Sequence, residues 1–98
     1  MKDLLFLLIL TLLYSCKTAE DHQSRGLSNL ELGNYNEAID DYTKAIKLKP
    51  GYAEAFYYRG NSKASLKDYS GAISDLTKAI ELKPDYARAY FGRGITKD

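Results

Sequence analysis

The chain has 98 residues, of which 45% are hydrophobic, 28% charged and 12% aromatic, with nine Tyr, three Phe and no Trp. Fourteen Lys and Arg against thirteen Asp and Glu leave a formal net charge of +1. That length allows one small domain, and a balanced mixture of signs excludes the clustered cations that a nucleic-acid surface needs. Two prolines and seven glycines exclude collagen-like and low-complexity classes. The one cysteine, Cys16, cannot close an intramolecular disulfide, and with the one histidine, His22, it is too little for a zinc site of Cys and His ligands. No metal and no cofactor are expected.

Met1-Lys2-Asp3 leads into Leu4–Leu13, apolar throughout except for Thr11. A membrane-spanning helix needs about 20 apolar residues, so this run is too short to cross; it fits the core of a secretory signal. Leu13-Tyr14-Ser15-Cys16 resembles a bacterial lipobox, with Leu three before the Cys and a small residue just before it. The resemblance implies cleavage before Cys16 and a diacylglycerol on its sulfur. Tyr14 is larger than the pattern favours, and Lys2 is offset by Asp3. Residues 1–15 are thus expected to be a signal peptide and 16–18 a lipid-anchored Cys with a short linker, which makes the chain an exported, lipid-anchored protein of the bacterial cell envelope. An ordinary cleaved signal and an uncleaved anchor are the competing readings. A buried helix start has no matching apolar run elsewhere to cover it, and Cys16 as a nucleophile lacks a positioned base.

Sliding the sequence by 34 residues aligns Ala19–Tyr52 with Ala53–Tyr86, and 18 of the 34 pairs are identical. A third copy starts at Ala87 and stops at Asp98. A fixed period of this length means stacked supersecondary units. Each period holds two helical stretches. Phe56, Gly60 and Ala64 share one stripe, and Ala72, Ile73, Leu76, Ala79 and Ile80 repeat at three and four. Lys67-Asp68 separates the two stretches, as Gly33-Asn34 does in the first copy, where Gly suits the left-handed residue after a helix end. Pro50 and Pro84 stop the second stretch. Small residues (Gly26, Ala38 and Ala45; Gly60, Ala72 and Ala79) fall where paired helices would cross and keep the backbones close.

On these residues the chain resembles tetratricopeptide repeats. The resemblance rests on Phe56, Gly60, Tyr69, Ala72, Leu76, Ala79 and Pro84 in the second copy. In the first it rests on Gly26, Tyr35, Ala38, Tyr42, Ala45 and Pro50, and in the third on Tyr90 and Gly94. It implies an all-α solenoid of antiparallel helix pairs, with repeats at 19–52 and 53–86 and a partial third repeat or capping helix at 87–98. Arg59 stands where the pattern usually has Leu, Lys63 where it often has Tyr, and His22 where a large aromatic or Leu is expected. Arg25, Arg59 and Arg93 recur at one phase, and Asp41 and Asp75 on the second helices. An Arg–Asp contact between stacked helices is the favoured reading over a basic ladder for acidic partners.

The family's usual activity is binding. First helices line a concave groove that holds a peptide or helix of a partner protein. By family position the groove candidates are Gln23 and Leu27, then Glu54, Tyr57 and Asn61, then Arg88 and Phe91, with Glu20, Leu30 and Ala64 beside them. Tyr57 and Phe91 offer rigid contact area and Asn61 a backbone hydrogen bond; the bland alternative makes the aromatic residues mere packing. Repeats that clamp the C-terminal carboxylate of chaperones carry Lys, Asn and Arg where this chain has Gln23, Leu27, Tyr58, Arg88 and Gly92, and of these only Arg88 fits. The partner is therefore expected to be another protein or peptide, held near a membrane by the lipid anchor, with no nucleic acid and no small-molecule substrate. No Walker loop, nucleophile elbow or zincin motif is present, and an enzyme is not expected. The alternative is a truncated structural fragment of a longer repeat protein without autonomous binding, because the third copy ends inside a first helix and terminal units usually carry a cap.

Overall fold

A computed structural model of the chain describes residues 18–86, and among these there are four helices and no strand. Helix α1 covers residues 18–31, α2 Tyr35–Leu48, α3 Ala53–Ser65 and α4 Tyr69–Leu82. Each 34-residue copy thus supplies one helix pair, α1 with α2 and α3 with α4, and the two pairs meet through α2 and α3. Cys16, the apolar leader and the third copy lie outside the described residues.

The breaks sit where the sequence places them. Gly33 has φ +79° and Lys67, at the same position of the second copy, φ +68°. In both copies the following residue closes the helix end: Asn34 N–H donates to Asn29 C=O at 2.8 Å and Asp68 N–H to Lys63 C=O at 2.8 Å. That six-residue closure satisfies carbonyls the last turn leaves open. Asp68 then starts α4, its Oδ1 accepting from Gly71 N–H at 3.0 Å. Asn34, one copy earlier, makes no such side-chain cap. At the far ends Lys49 and Lys83 are extended, with φ −138° and −142°. Each precedes a proline, which disfavours the helical region for the residue before it.

The expected helix crossings are present. A Cβ on Gly26 would meet the Tyr42 ring at 2.5–2.9 Å, and one on Gly60 would lie 3.1 Å from Ala72 C=O and from Leu76 Cγ. Glycine lets α1 lie on the Tyr42 ring, and alanines at 38, 45, 72 and 79 are fully buried around it and its counterpart Leu76. Two apolar clusters result. One gathers Ala38, Tyr42, Ala45 and Ala55, the other Phe56, Leu76, Ala79 and Ile80, and Ile46 packs against both. The first cluster spans the junction, since Ala55 of α3 joins residues of α2, and the second lies within the α3–α4 pair with Ile46 of α2 covering its side. Leucines at the two inter-helix turns point outward, Leu32 with 74% of its surface exposed and Leu66 with 43%.

A lysine in the left-handed region costs about 1 kcal/mol. Lys67→Gly is therefore expected to raise stability by ~0.5–1 kcal/mol, seen as a higher melting temperature by circular dichroism. Gly26→Ala should lower stability by ~1–3 kcal/mol because the Tyr42 ring has to move. Gly51→Ala, where nothing lies within 4 Å of the added methyl, should not lower stability and should raise it by up to ~1 kcal/mol through the lost freedom of the unfolded chain.

Candidate functional site

Helix α3 has two cations, Arg59 and Lys63, and both turn inward to one carboxylate. Arg59 Nε and Nη2 donate to Asp75 Oδ2 and Oδ1 at 2.9 and 2.8 Å, while Lys63 Nζ reaches Oδ2 at 3.0 Å. Asp75 is only 4% exposed. A fork of two N–H groups is the strongest arrangement for a carboxylate taken out of water. Arg59 Nη1 also donates to Thr43 Oγ1 on α2 at 3.2 Å, so one side chain ties α2, α3 and α4 together. The Arg–Asp contact read from the sequence is thus present in the second pair. In the first pair Asp41 accepts from Asn29 Nδ2 at 2.8 Å instead, and Arg25 is exposed. Arg25 lines an open polar hollow on the outer side of α1 and α2, with Ser24, Asn36, Glu37 and Asp40 among its neighbours. Asp40 itself pairs with Lys44 at 3.0 Å, and both it and Asp41 line the hollow.

With its cations turned toward Asp75, α3 has Glu54, Tyr57 and Asn61, the residues that the family resemblance assigns to a groove, half-buried. The Tyr57 ring lies 5.1 Å from Tyr86 and 5.0 Å from Tyr58, at 58° and 70°. Tyr58 in turn stacks on Tyr42 at 5.9 Å. These tilted and stacked geometries suit aromatic quadrupoles and make a continuous run of four tyrosines from α2 to the end of the second copy. Glu54 pairs with Lys83 at 3.4 Å, and Lys83 Nζ lies 5.4 Å from the Tyr86 ring centroid. One copy earlier Lys49 Nζ sits 4.4 Å from the Tyr52 ring. Burial raises the Tyr52 hydroxyl pKa above its ordinary value, and the carboxylates of Glu20 and Glu54 add to the rise. Glu54, Lys83 and Tyr86 therefore cluster between the start of α3 and the end of α4, and Tyr52, which caps the start of α3, feels the charges of Glu20 and Glu54.

The remaining sequence candidates are placed as follows. Leu27 is half-buried on α1, and Gln23 is buried at 8% exposure with no partner for its Oε1. His22 Nδ1 and Tyr42 OH are likewise buried without a partner. Sequence reasoning did not single out Tyr42, Tyr52 or Tyr86 for the site. Their signal was the 34-residue recurrence of Tyr52 at Tyr86, and Tyr42 at the crossing. Cys16, Arg88 and Phe91 lie outside the described residues. Among the described residues no group of three His, Cys, Asp or Glu is placed to hold a metal ion, and no helix is long and apolar enough to cross a membrane.

Comparison with known proteins places this geometry. A family model described as TPR repeat matches residues 26–66 and again 60–97. Among solved structures the chain is similar to the Arabidopsis OM64 TPR domain, at 26% identity and a TM-score of 0.83, covering 85% of this chain and 69% of that one. It is similar to the yeast Sti1 TPR2B domain in complex with pHsp70, at 30% identity and 0.81, covering 83% and 65%. It is similar to the second TPR domain of human RPAP3 in complex with the HSP70 peptide SGPTIEEVD, at 28% identity and 0.80, covering 83% and 68%. The chain thus spans about two thirds of each of these structures. No curated protein matches the chain.

Removing one partner of a buried ion pair leaves the other uncompensated, at a cost of ~3–5 kcal/mol. Lys63 still serves Asp75 in Arg59→Ala, so the loss expected by urea denaturation is at the lower end, ~3 kcal/mol. Tyr42 makes a second prediction. Burial pushes its hydroxyl pKa well above the ordinary 10.0, and Tyr58, Asp41 and Glu31 push the same way. The folded chain then holds that proton where the unfolded chain releases it, so the stabilisation is complete below pH 10.0 and falls as pH rises past it. Tyr42→Phe should flatten that alkaline fall in urea melts, without loss at neutral pH, since the deleted hydroxyl has no partner.

Proposed function

The chain belongs to the tetratricopeptide repeat family, and on that premise we propose that it is a protein–protein interaction module whose concave groove holds a peptide or helix of a partner protein. The observation that carries the reading is the half-buried row of Glu54, Tyr57 and Asn61 on α3, extended by Tyr86. Rigid aromatic faces with polar tips beside an amide are what interface anchors use. Peptide complexes of the similar Sti1 and RPAP3 domains support the same use of the fold. We read the module as a scaffold and not an enzyme, tethered to the bacterial envelope through acylated Cys16. Thr18 opens α1 two residues after Cys16, so a lipid there would hold the first helix pair close to the membrane, and the several acyl chains of a lipoprotein would hold it firmly.

Groove contact and tether are tested separately. In cells producing the full-length chain, a photo-crosslinking residue at Tyr57 is expected to trap a partner, while the same residue at exposed Ser74 on α4 does not; equal yields from both would count against the groove. For the tether, the membrane-fraction protein is expected to yield an N-terminal peptide that begins at Cys16 and carries the mass of acyl groups. Cys16→Ser should release it into the aqueous fraction. An unmodified mass would remove the lipid from the proposal.

A further inference from the structure

The charge of the groove points to the class of peptide that fits it. On α1 the cation Arg25 lines the outer hollow, and on α3 Arg59 and Lys63 are both committed to Asp75. Among the described residues, the groove positions on these two helices hold Glu20, Gln23 and Leu27, then Glu54, Tyr57 and Asn61. The charges of that set are both negative. Glu20 and Glu54 are the same residue one copy apart, and both act on Tyr52, which lies between the two helix pairs. In the third copy the equivalent position is Arg88, so the recurring charge changes sign only there.

The protein's own lysines show what these positions accept. Lys83 bridges the Glu54 carboxylate and the Tyr86 ring, and Lys49 lies over the Tyr52 ring. An ammonium between a carboxylate and an aromatic face is favourable on both sides. The Lys83–Glu54 pair is half-exposed, at 50% and 39% of the side-chain surface. Such pairs contribute little to stability, so an incoming cation can take the place of Lys83. Resting on the groove reading above, we propose that the first two helix pairs bind a basic peptide segment, with its Lys or Arg side chains against Glu20 and Glu54 and over the tyrosine rings. The acidic segment carried by SGPTIEEVD, bound by the similar RPAP3 domain, would meet Glu20 and Glu54 as like charges, which oppose binding.

The test uses the full-length chain in detergent and two labelled nonapeptides, SGPTIEEVD and its charge-inverted counterpart SGPTIKKVK, followed by fluorescence anisotropy. The basic peptide is expected to bind at least about tenfold more tightly at low salt, with the advantage shrinking as salt screens it. Glu20→Gln with Glu54→Gln should lower its affinity about fivefold and flatten the salt dependence, with an unchanged melting curve as the folding control. Tighter or equal binding of SGPTIEEVD would overturn the charge inference and leave the groove standing. Binding of neither peptide would overturn both, and an undiminished affinity in the double variant would show that the basic peptide sits elsewhere.

Discussion

A carboxylate removed from water has to be surrounded by donors, and Asp75 meets that demand with every cation that α3 possesses. Much else follows from this arrangement. Arg59 can reach Asp75 only where α3 and α4 lie close, which Gly60 permits. Having reached it, Arg59 is also within 3.2 Å of Thr43, so the charged cluster sets the stacking of the second helix pair on the first as well as its own crossing. The family pattern favours Leu and Tyr at positions 59 and 63, and this chain replaces that apolar contact with an ionic one. Well-packed apolar residues can equal such a cluster in stability; what the ionic version adds is direction, since a guanidinium fork fits a carboxylate in one plane.

The same commitment shapes the rest of the α3 surface. Side chains three and four apart share a helix face, so Arg59 and Lys63 occupy the inward side of α3 together, and Glu54, Tyr57 and Asn61 occupy the neighbouring one. Of the three charges on α3, two are therefore turned to Asp75, and the third, Glu54, stays half-exposed beside the tyrosine rings and paired with Lys83. Net charge over the whole chain, which is near neutral, carries no hint of this, because it averages buried and accessible charges. The reading of partner chemistry depends on knowing which charges are already used.

That distinction also marks what was legible in the sequence. The period, the turns at Gly33 and Lys67, the proline stops and the small residues at the crossings follow from local rules: backbone freedom, a missing N–H, side-chain size. Each is a property of one residue and its neighbours, and each is found in the structure. The Arg59–Asp75 contact was legible as a recurrence of charge at a fixed phase. Its partial failure in the first copy was not. There Asn29 stands in place of Lys63 and takes Asp41, and nothing in the spacing says which of two neighbouring donors wins. The run from Tyr42 through Tyr58 and Tyr57 to Tyr86 was hidden for a similar reason. Its members belong to three elements, and ring contacts depend on how the two helix pairs stack as well as on sequence spacing.

Comparison of the two copies extends the argument to the ends of the stack. Tyr58, which stacks on Tyr42 across the junction, is replaced by Ser24 in the first copy, and Gly71 and Ser74 are replaced by Glu37 and Asp40. The outer side of α1 and α2 is accordingly a polar hollow, whereas the matching side of the second pair holds a ring and an arginine against its neighbour. A solenoid needs a polar outer face wherever stacking is to stop, and the first pair has that character. On the other side Ile46 reaches across to the second apolar cluster, and its repeat counterpart Ile80 is one of that cluster's own buried members. The two sides of the first repeat are thus chemically distinct, one lined by polar side chains and one packed on another helix. That polarity gives the stack a direction, and with it a fixed order in which Glu20, Glu54 and Arg88 succeed one another along the sequence.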